Sequence, residues 1–108
     1  PASPGTRTGA EDPPIPRVFA LHQNHPNPFN PATQIRFSLD REVAVTLIIY
    51  DVFGRNIRTL VNRRMAPGIY SQEWIGIDGN GQNVASGVYF YRLKAGNKVL
   101  TKKMVLLK

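Results

Sequence analysis

Two histidines, His22 and His25, lie close together in a chain of 108 residues that has no cysteine. Their spacing could seat a metal ion, but no aspartate, glutamate or cysteine joins them in the same stretch, and histidines beside a proline turn usually face solvent. The stretch "DGNGQ", Asp78 to Gln82, alternates oxygen-bearing side chains in the manner of a calcium loop. It lacks the later acidic ligand of such a loop, and Asp-Gly followed by Asn-Gly suits a tight turn, so a turn is expected here. Trp74 could be a sugar-stacking platform, although its place in a period-two run with Tyr70 favours the core. Ser71, Ser86 and Thr101 have no histidine and carboxylate at helpful positions, and the seven carboxylates are scattered rather than paired. Neither catalysis nor a cofactor is expected of this chain.

The elements that would position these residues are strands. "TQIRFSL" alternates Ile35, Phe37 and Leu39 against Gln34, Arg36 and Ser38, as a strand with one buried face must. "VAVTLIIYD" sets Val43, Val45, Leu47 and Ile49 on one face, and its other face is also fairly apolar, which marks a central strand. "FGR", Phe53 to Arg55, turns the chain into "NIRTLV", and Pro67 and Gly68 stand where a type II turn wants them. "IYSQEW", "VYFYRL" and "KVLTKKMVLL" complete about seven short extended segments, with no convincing amphipathic helix among them. The pattern predicts an all-β, antiparallel sandwich.

Proline and charge divide the chain. The first sixteen residues hold Pro1, Pro4, Pro13, Pro14 and Pro16 with Gly5 and Gly9, so residues 1–17 read as a flexible linker and residues 18–108 as one domain. A linker implies a body upstream, and the chain is expected to be the tail module of a larger protein. No apolar run is long enough for a membrane span, and no signal-peptide pattern opens the chain. The formal charge is +7, and beyond Asp78 the charged residues are Arg92, Lys94, Lys98, Lys102, Lys103 and Lys108 without one carboxylate. Such an end could meet an acidic protein or anionic lipopolysaccharide, or it could be a lysine-decorated edge that resists aggregation. The interleaving of Tyr89, Phe90 and Tyr91 with Arg92 and Lys94 resembles a base-stacking platform, but Tyr89 and Tyr91 fall on the expected core face, so no nucleic-acid partner is expected.

Between linker and first long strand stands "NHPNPFNPAT". Pro26, Pro28 and Pro31 restrict themselves and the residues before them, which stiffens the loop. Asn24, Asn27 and Asn30 can return their amides to nearby backbone. Phe29, its one large apolar group, is expected to turn inward and close an end of the sandwich, while the prolines keep the first strand from becoming a bare edge.

"LHQNHPNPFNPATQIRFSL", "LIIYDVFGRNIRTLV", "GIYSQEW", "DGNGQNVASGVYFYRLKAG" and "TKKMVLLK" together resemble the C-terminal sorting domain of type IX secretion, type A, over about residues 19 to 108. They are similar also to the immunoglobulin-like domain of flagellar hook-capping proteins. The resemblance implies an immunoglobulin-like β-sandwich that directs a covalently linked passenger through the periplasm and the outer-membrane secretion machinery to the cell surface; from the period-two patterning, the chain alone is expected to be a monomer. It implies a passenger that is often a hydrolase, such as a peptidase or a polysaccharide-degrading enzyme. The family's glycine-tyrosine signature falls on Gly87 and Tyr89, and its basic-apolar terminal motif on Lys103, Met104, Val105, Leu106, Leu107 and Lys108. Recognition is accordingly expected at Gly87, Tyr89, Lys102, Lys103, Met104, Leu106 and Lys108, with Pro26, Asn27, Pro28, Phe29, Asn30 and Pro31 as a structural loop. One departure from the family pattern is Ile75 between Trp74 and Gly76, where relatives usually carry an aspartate. A carbohydrate- or protein-binding accessory module of a secreted enzyme is the competing reading.

Overall fold

The structure, a computed structural model, describes residues 18–108; the linker expected at 1–17 lies outside the described residues. Seven strands follow in chain order: β1 (Ala20–Leu21), β2 (Thr33–Leu39), β3 (Val43–Tyr50), β4 (Asn56–Met65), β5 (Gly68–Trp74), β6 (Gly87–Ala95) and β7 (Lys98–Leu106). They form a three-stranded sheet in the order β1-β2-β5 and a four-stranded sheet in the order β4-β3-β6-β7, every pair antiparallel. The antiparallel sandwich read from the periodicity is therefore the fold, and β3 is central as its two apolar faces imply.

Side chains at alternate positions make the core. Ile35, Phe37 and Leu39 of β2 and Trp74 of β5 face Val45, Leu47 and Ile49 of β3, Tyr89, Tyr91 and Leu93 of β6, and Met104 and Leu106 of β7, all of them buried. The outer face of the three-stranded sheet is polar, with Gln34 bonded to Ser71 and lying opposite Glu73. The outer face of the four-stranded sheet is not: Ile48, Tyr50, Val88, Phe90 and Val105 are only half-buried there, and no element among the described residues covers them.

Two features differ from the sequence reading. Gly68 is not among the glycines at positive φ, so the type II turn expected at Pro67–Gly68 does not form. The physical reason is topological, because β4 and β5 belong to different sheets and the chain crosses between layers there instead of folding back on itself. Tyr70 steadies the crossing by donating its hydroxyl to the Ala66 carbonyl, 2.7 Å away. The first long strand, secondly, is kept from being a bare edge by other means than the prolines: β2 lies between β1 and β5, His22 and His25 bond its residues Arg36 and Gln34, and the proline stretch itself lies along β7.

That contact explains Phe29. Its amide donates to the Val105 carbonyl and its carbonyl accepts from the Leu107 amide, both at 3.0 Å, in a short parallel bridge to Leu106. Its ring, 2% exposed, lies 5.7 Å from the Trp74 ring, which in turn meets Tyr89 edge-on at 5.3 Å. The expectation of an inward-turned end-plug is met. Phe29→Ala removes that plug and should cost about 3 kcal/mol or more; a shift of the urea midpoint measures it, and coincident midpoints for variant and parent would contradict this account.

Candidate functional site

The C-terminal strand and the loop that lies along it are where the sequence places recognition, and backbone chemistry builds both. β7 is the last strand of its sheet, so alternate residues turn their N–H and C=O groups outward with no strand to receive them. The loop acts as a strap over this edge. Gln23 Nε2 donates to the Lys103 carbonyl at 2.8 Å, the Val105 amide donates to Asn27 Oδ1 at 3.0 Å, and Phe29 brackets Val105 and Leu107. Beyond the strap the Lys108 amide donates to Ser86 Oγ at 3.0 Å.

A buried polar cluster anchors the strap from below. Asn24, 3% exposed, donates its amide N–H to the Tyr91 hydroxyl at 2.8 Å, and that hydroxyl donates onward to the His22 carbonyl at 2.8 Å. The Asn24 Nδ2 donates to the Pro26 carbonyl and to Thr33 Oγ1, and its Oδ1 accepts from Gln23 Nε2. Asn24 thus returns to local backbone as its residue type suggests, whereas Asn27 reaches across to β7. Of the loop residues, Pro26, Asn27, Pro28, Asn30 and Pro31 are exposed and Phe29 is buried.

The residues expected to recognise a partner divide into two sets. Tyr89 (6% exposed), Met104 and Leu106 are core, and the Tyr89 hydroxyl donates to the Ala85 carbonyl at 2.6 Å. Gly87 opens β6 at φ +149°, a conformation L side chains avoid. These four shape the fold that carries β7. Lys103 and Lys108 are exposed, while Lys102, opposite Tyr91, sits half-buried on the inward row. Lys102 and Lys103 therefore point to opposite faces of the sheet, so they do not present one common cationic surface.

Other residues with possible chemistry take structural places. Trp74 is 1% exposed and donates Nε1–H to the Ile77 carbonyl at 2.8 Å, so its ring is closed to a sugar. Asp78 uses its carboxylate on the amides of Asn80 and Gln82, and Gly81 at φ +80° completes the turn. His25 serves through its backbone, bonded to Gln34. Ile75 is 45% exposed just before Gly76, which is held at φ +73° beside Leu106. Among the described residues no group of three or more histidines, cysteines or carboxylates could hold a metal ion, and no helix is long and apolar enough to cross a membrane.

The turn expected at Phe53–Arg55 forms, but the sequence reading passed over Asp51, which braces it. The Asp51 carboxylate accepts from the Phe53 and Arg55 amides, both at 2.9 Å, and from Arg55 Nε at 2.7 Å. Burial opposes its charge, but these bonds outweigh burial and hold its carboxyl below the usual carboxylate range. The braced turn leaves Val52 and Phe53 59% and 79% exposed. An apolar pair inside a turn was the available signal.

A model of the secretion system C-terminal sorting domain family matches residues 24–107, from the strap through the last strand. The chain belongs to that family. A search of curated proteins by sequence finds no match. Among solved structures, the sorting domain is similar to part of dimeric latent PorU from Porphyromonas gingivalis, with 20% identity and a TM-score of 0.67 over 89% of this chain and 10% of that one. It is also similar to part of PorZ from the same organism, a surface component of the type IX secretion system, with 19% identity and a TM-score of 0.59 over 82% and 11% of the two chains. The sorting domain spans about a tenth of the length of either neighbour, and at these identities the likeness concerns the fold.

The Tyr91 hydroxyl gives the anchor a measurable signature. Burial pushes its pKa up to about 12, offset in part by the bond from the Asn24 amide. Because the folded value lies above the unfolded one near 10, Tyr91 contributes stability that is complete below pH 10 and is lost as pH rises through about 12. Tyr91→Phe should cost roughly 1–3 kcal/mol at neutral pH by leaving the Asn24 N–H and the His22 carbonyl unpaired. Thermal transitions between pH 9 and about pH 12 should fall less steeply for the variant than for the parent; equal slopes would show that Tyr91 is not the alkaline-sensitive group.

Proposed function

We propose that this sorting domain is a non-catalytic C-terminal module that carries a larger protein across the outer membrane by type IX secretion and delivers it to the cell surface. The family match over residues 24–107 carries the reading. The fold supports it physically: the strap fixes the edge of β7, so the terminal segment is displayed as part of a rigid sandwich and a partner can read it without unfolding the rest. The passenger, attached through residues 1–17, is taken to be a hydrolase, and the module a monomer. Its surplus of cations supplies long-range attraction to acidic surfaces of the machinery or to anionic lipopolysaccharide, an attraction that salt weakens.

Truncation is a poor test, because removing Val105 to Lys108 deletes the buried Leu106 and the strap's bonding partners along with any recognition element. Lys103→Glu with Lys108→Glu is cleaner, since both side chains are exposed and neither is held in an ion pair among the described residues. In a host with type IX secretion, a reporter carrying the double variant should reach the surface several-fold less than the parent while its melting temperature is unchanged. Lys102→Glu, on the inward row, should lower the melting temperature first. Export of the double variant at the parent's level would remove these lysines from recognition; retention of the parent reporter in the periplasm, with binding to insoluble polysaccharide, would favour an accessory binding module.

A further inference from the structure

The feature that sorting through β7 leaves unexplained is the outer face of the four-stranded sheet at the end carrying the Asp51 turn. Strand register sets Tyr50, Phe90 and Lys103 side by side, with Ile48, Arg92 and Thr101 in the next row and Val88 and Val105 beyond. The Arg92 guanidinium lies over the Tyr50 ring, 4.6 Å from its centre, and donates to the Tyr50 hydroxyl. Across this face the strands contribute Arg92, Lys94 and Lys103, together with Arg64, whose guanidinium is paired with Glu42 just before β3.

At the margin of this shelf rises the braced turn. Val52 forms a wall shared by two recesses, one of about 410 Å³ reaching over Ile57, Val84 and Tyr89 at the end of the sandwich, the other of about 310 Å³ reaching over Tyr50, Phe90 and Arg92. Asp51 is the one acid there and is consumed inside the turn. Residue Val18, where the described chain begins, lies beside Ser38 at the opposite end of the sandwich. The turn and Val18 thus lie at opposite ends of the strands.

We propose that the Val52–Phe53 ridge with the Tyr50–Phe90–Arg92–Lys103 shelf is a docking surface for an acidic protein of the export machinery. The inference rests on the sorting function proposed above. Charge complementarity selects an acidic partner, since Arg92 is oriented by Tyr50 and keeps N–H groups free for a carboxylate, with Lys103 beside it. Shape and hydrophobicity select a protein. An exposed phenylalanine on a rigid turn loses little entropy on burial and suits an apolar pocket. A ridge between two recesses fits a concave partner better than a flat bilayer.

The test uses the full chain behind a reporter passenger in a type IX host, with Phe53→Ser and, separately, Arg92→Glu. Each variant should reduce surface export by tenfold or more with a parental melting temperature, and a photo-crosslinking amino acid at position 53 should form an adduct with a protein of the secretion machinery. The same probe at Ile69, exposed on the other sheet, should form none. Should Phe53→Ser lower the melting temperature, Arg92→Glu alone decides. Export of folded variants at the parent's level overturns the docking surface and leaves the sorting function standing, whereas failure of the parent reporter to be exported overturns both. Purified domain should bind neither heparin nor vesicles of phosphatidylcholine with phosphatidylglycerol through this face; binding of either that is lost in Phe53→Ser assigns the ridge to that ligand and overturns the proposal.

Discussion

An edge strand with unpaired backbone groups is a hazard and an opportunity, and in this domain the strap from Gln23 to Phe29 settles which. By bonding Lys103, Val105 and Leu107 from the outside, the strap makes the second half of β7 behave as an interior strand, although β7 is the last strand of its sheet among the described residues. The aromatic contact of Phe29 with Trp74 and the Asn24–Tyr91–His22 bonds hold the strap in place. Without it, Leu106 would lie under an open end of the sandwich, and the terminal segment would be free to pair with other chains.

This arrangement separates what the terminal motif does for folding from what it offers a partner. Met104 and Leu106 are fully buried and Tyr89 nearly so, which makes them terms in the stability of the sandwich. Lys103 and Lys108 remain for contact, and Lys103 adjoins Phe90 on an outer face that is apolar in its middle and cationic at its rim. Val18, where the described chain begins, and the ridge at Phe53 lie at opposite ends of the strands.

Much of this was legible in the sequence because a strand announces itself locally. Alternation in "TQIRFSL" and "VAVTLIIYD" reveals both the strands and their buried faces, and the lone Phe29 in a polar loop reveals a plug. What was not legible depended on partners distant in the chain. That the loop would lie on β7 follows from bonds spanning more than seventy residues, which no local pattern encodes. The two residues of β1 are too few to show a period, and the Pro67–Gly68 turn could not be typed without knowing that β4 and β5 occupy different sheets. The opposite orientation of Lys102 and Lys103 was available from the period of two alone, and adjacency in sequence obscured it.

The central claim, that the strap completes the edge of β7, is tested most directly by amide hydrogen exchange along that edge. The Val105 and Leu107 amides should exchange as slowly as amides inside the ladder between β6 and β7, and Thr101, on the same edge upstream of the strap, should exchange much faster. Asn27→Ala should speed exchange at Val105 and leave the inner ladder protected. Exchange at Val105 and Leu107 as fast as at Thr101 would mean that the strap does not hold the edge, and the account of a fixed, displayed terminal strand would be wrong.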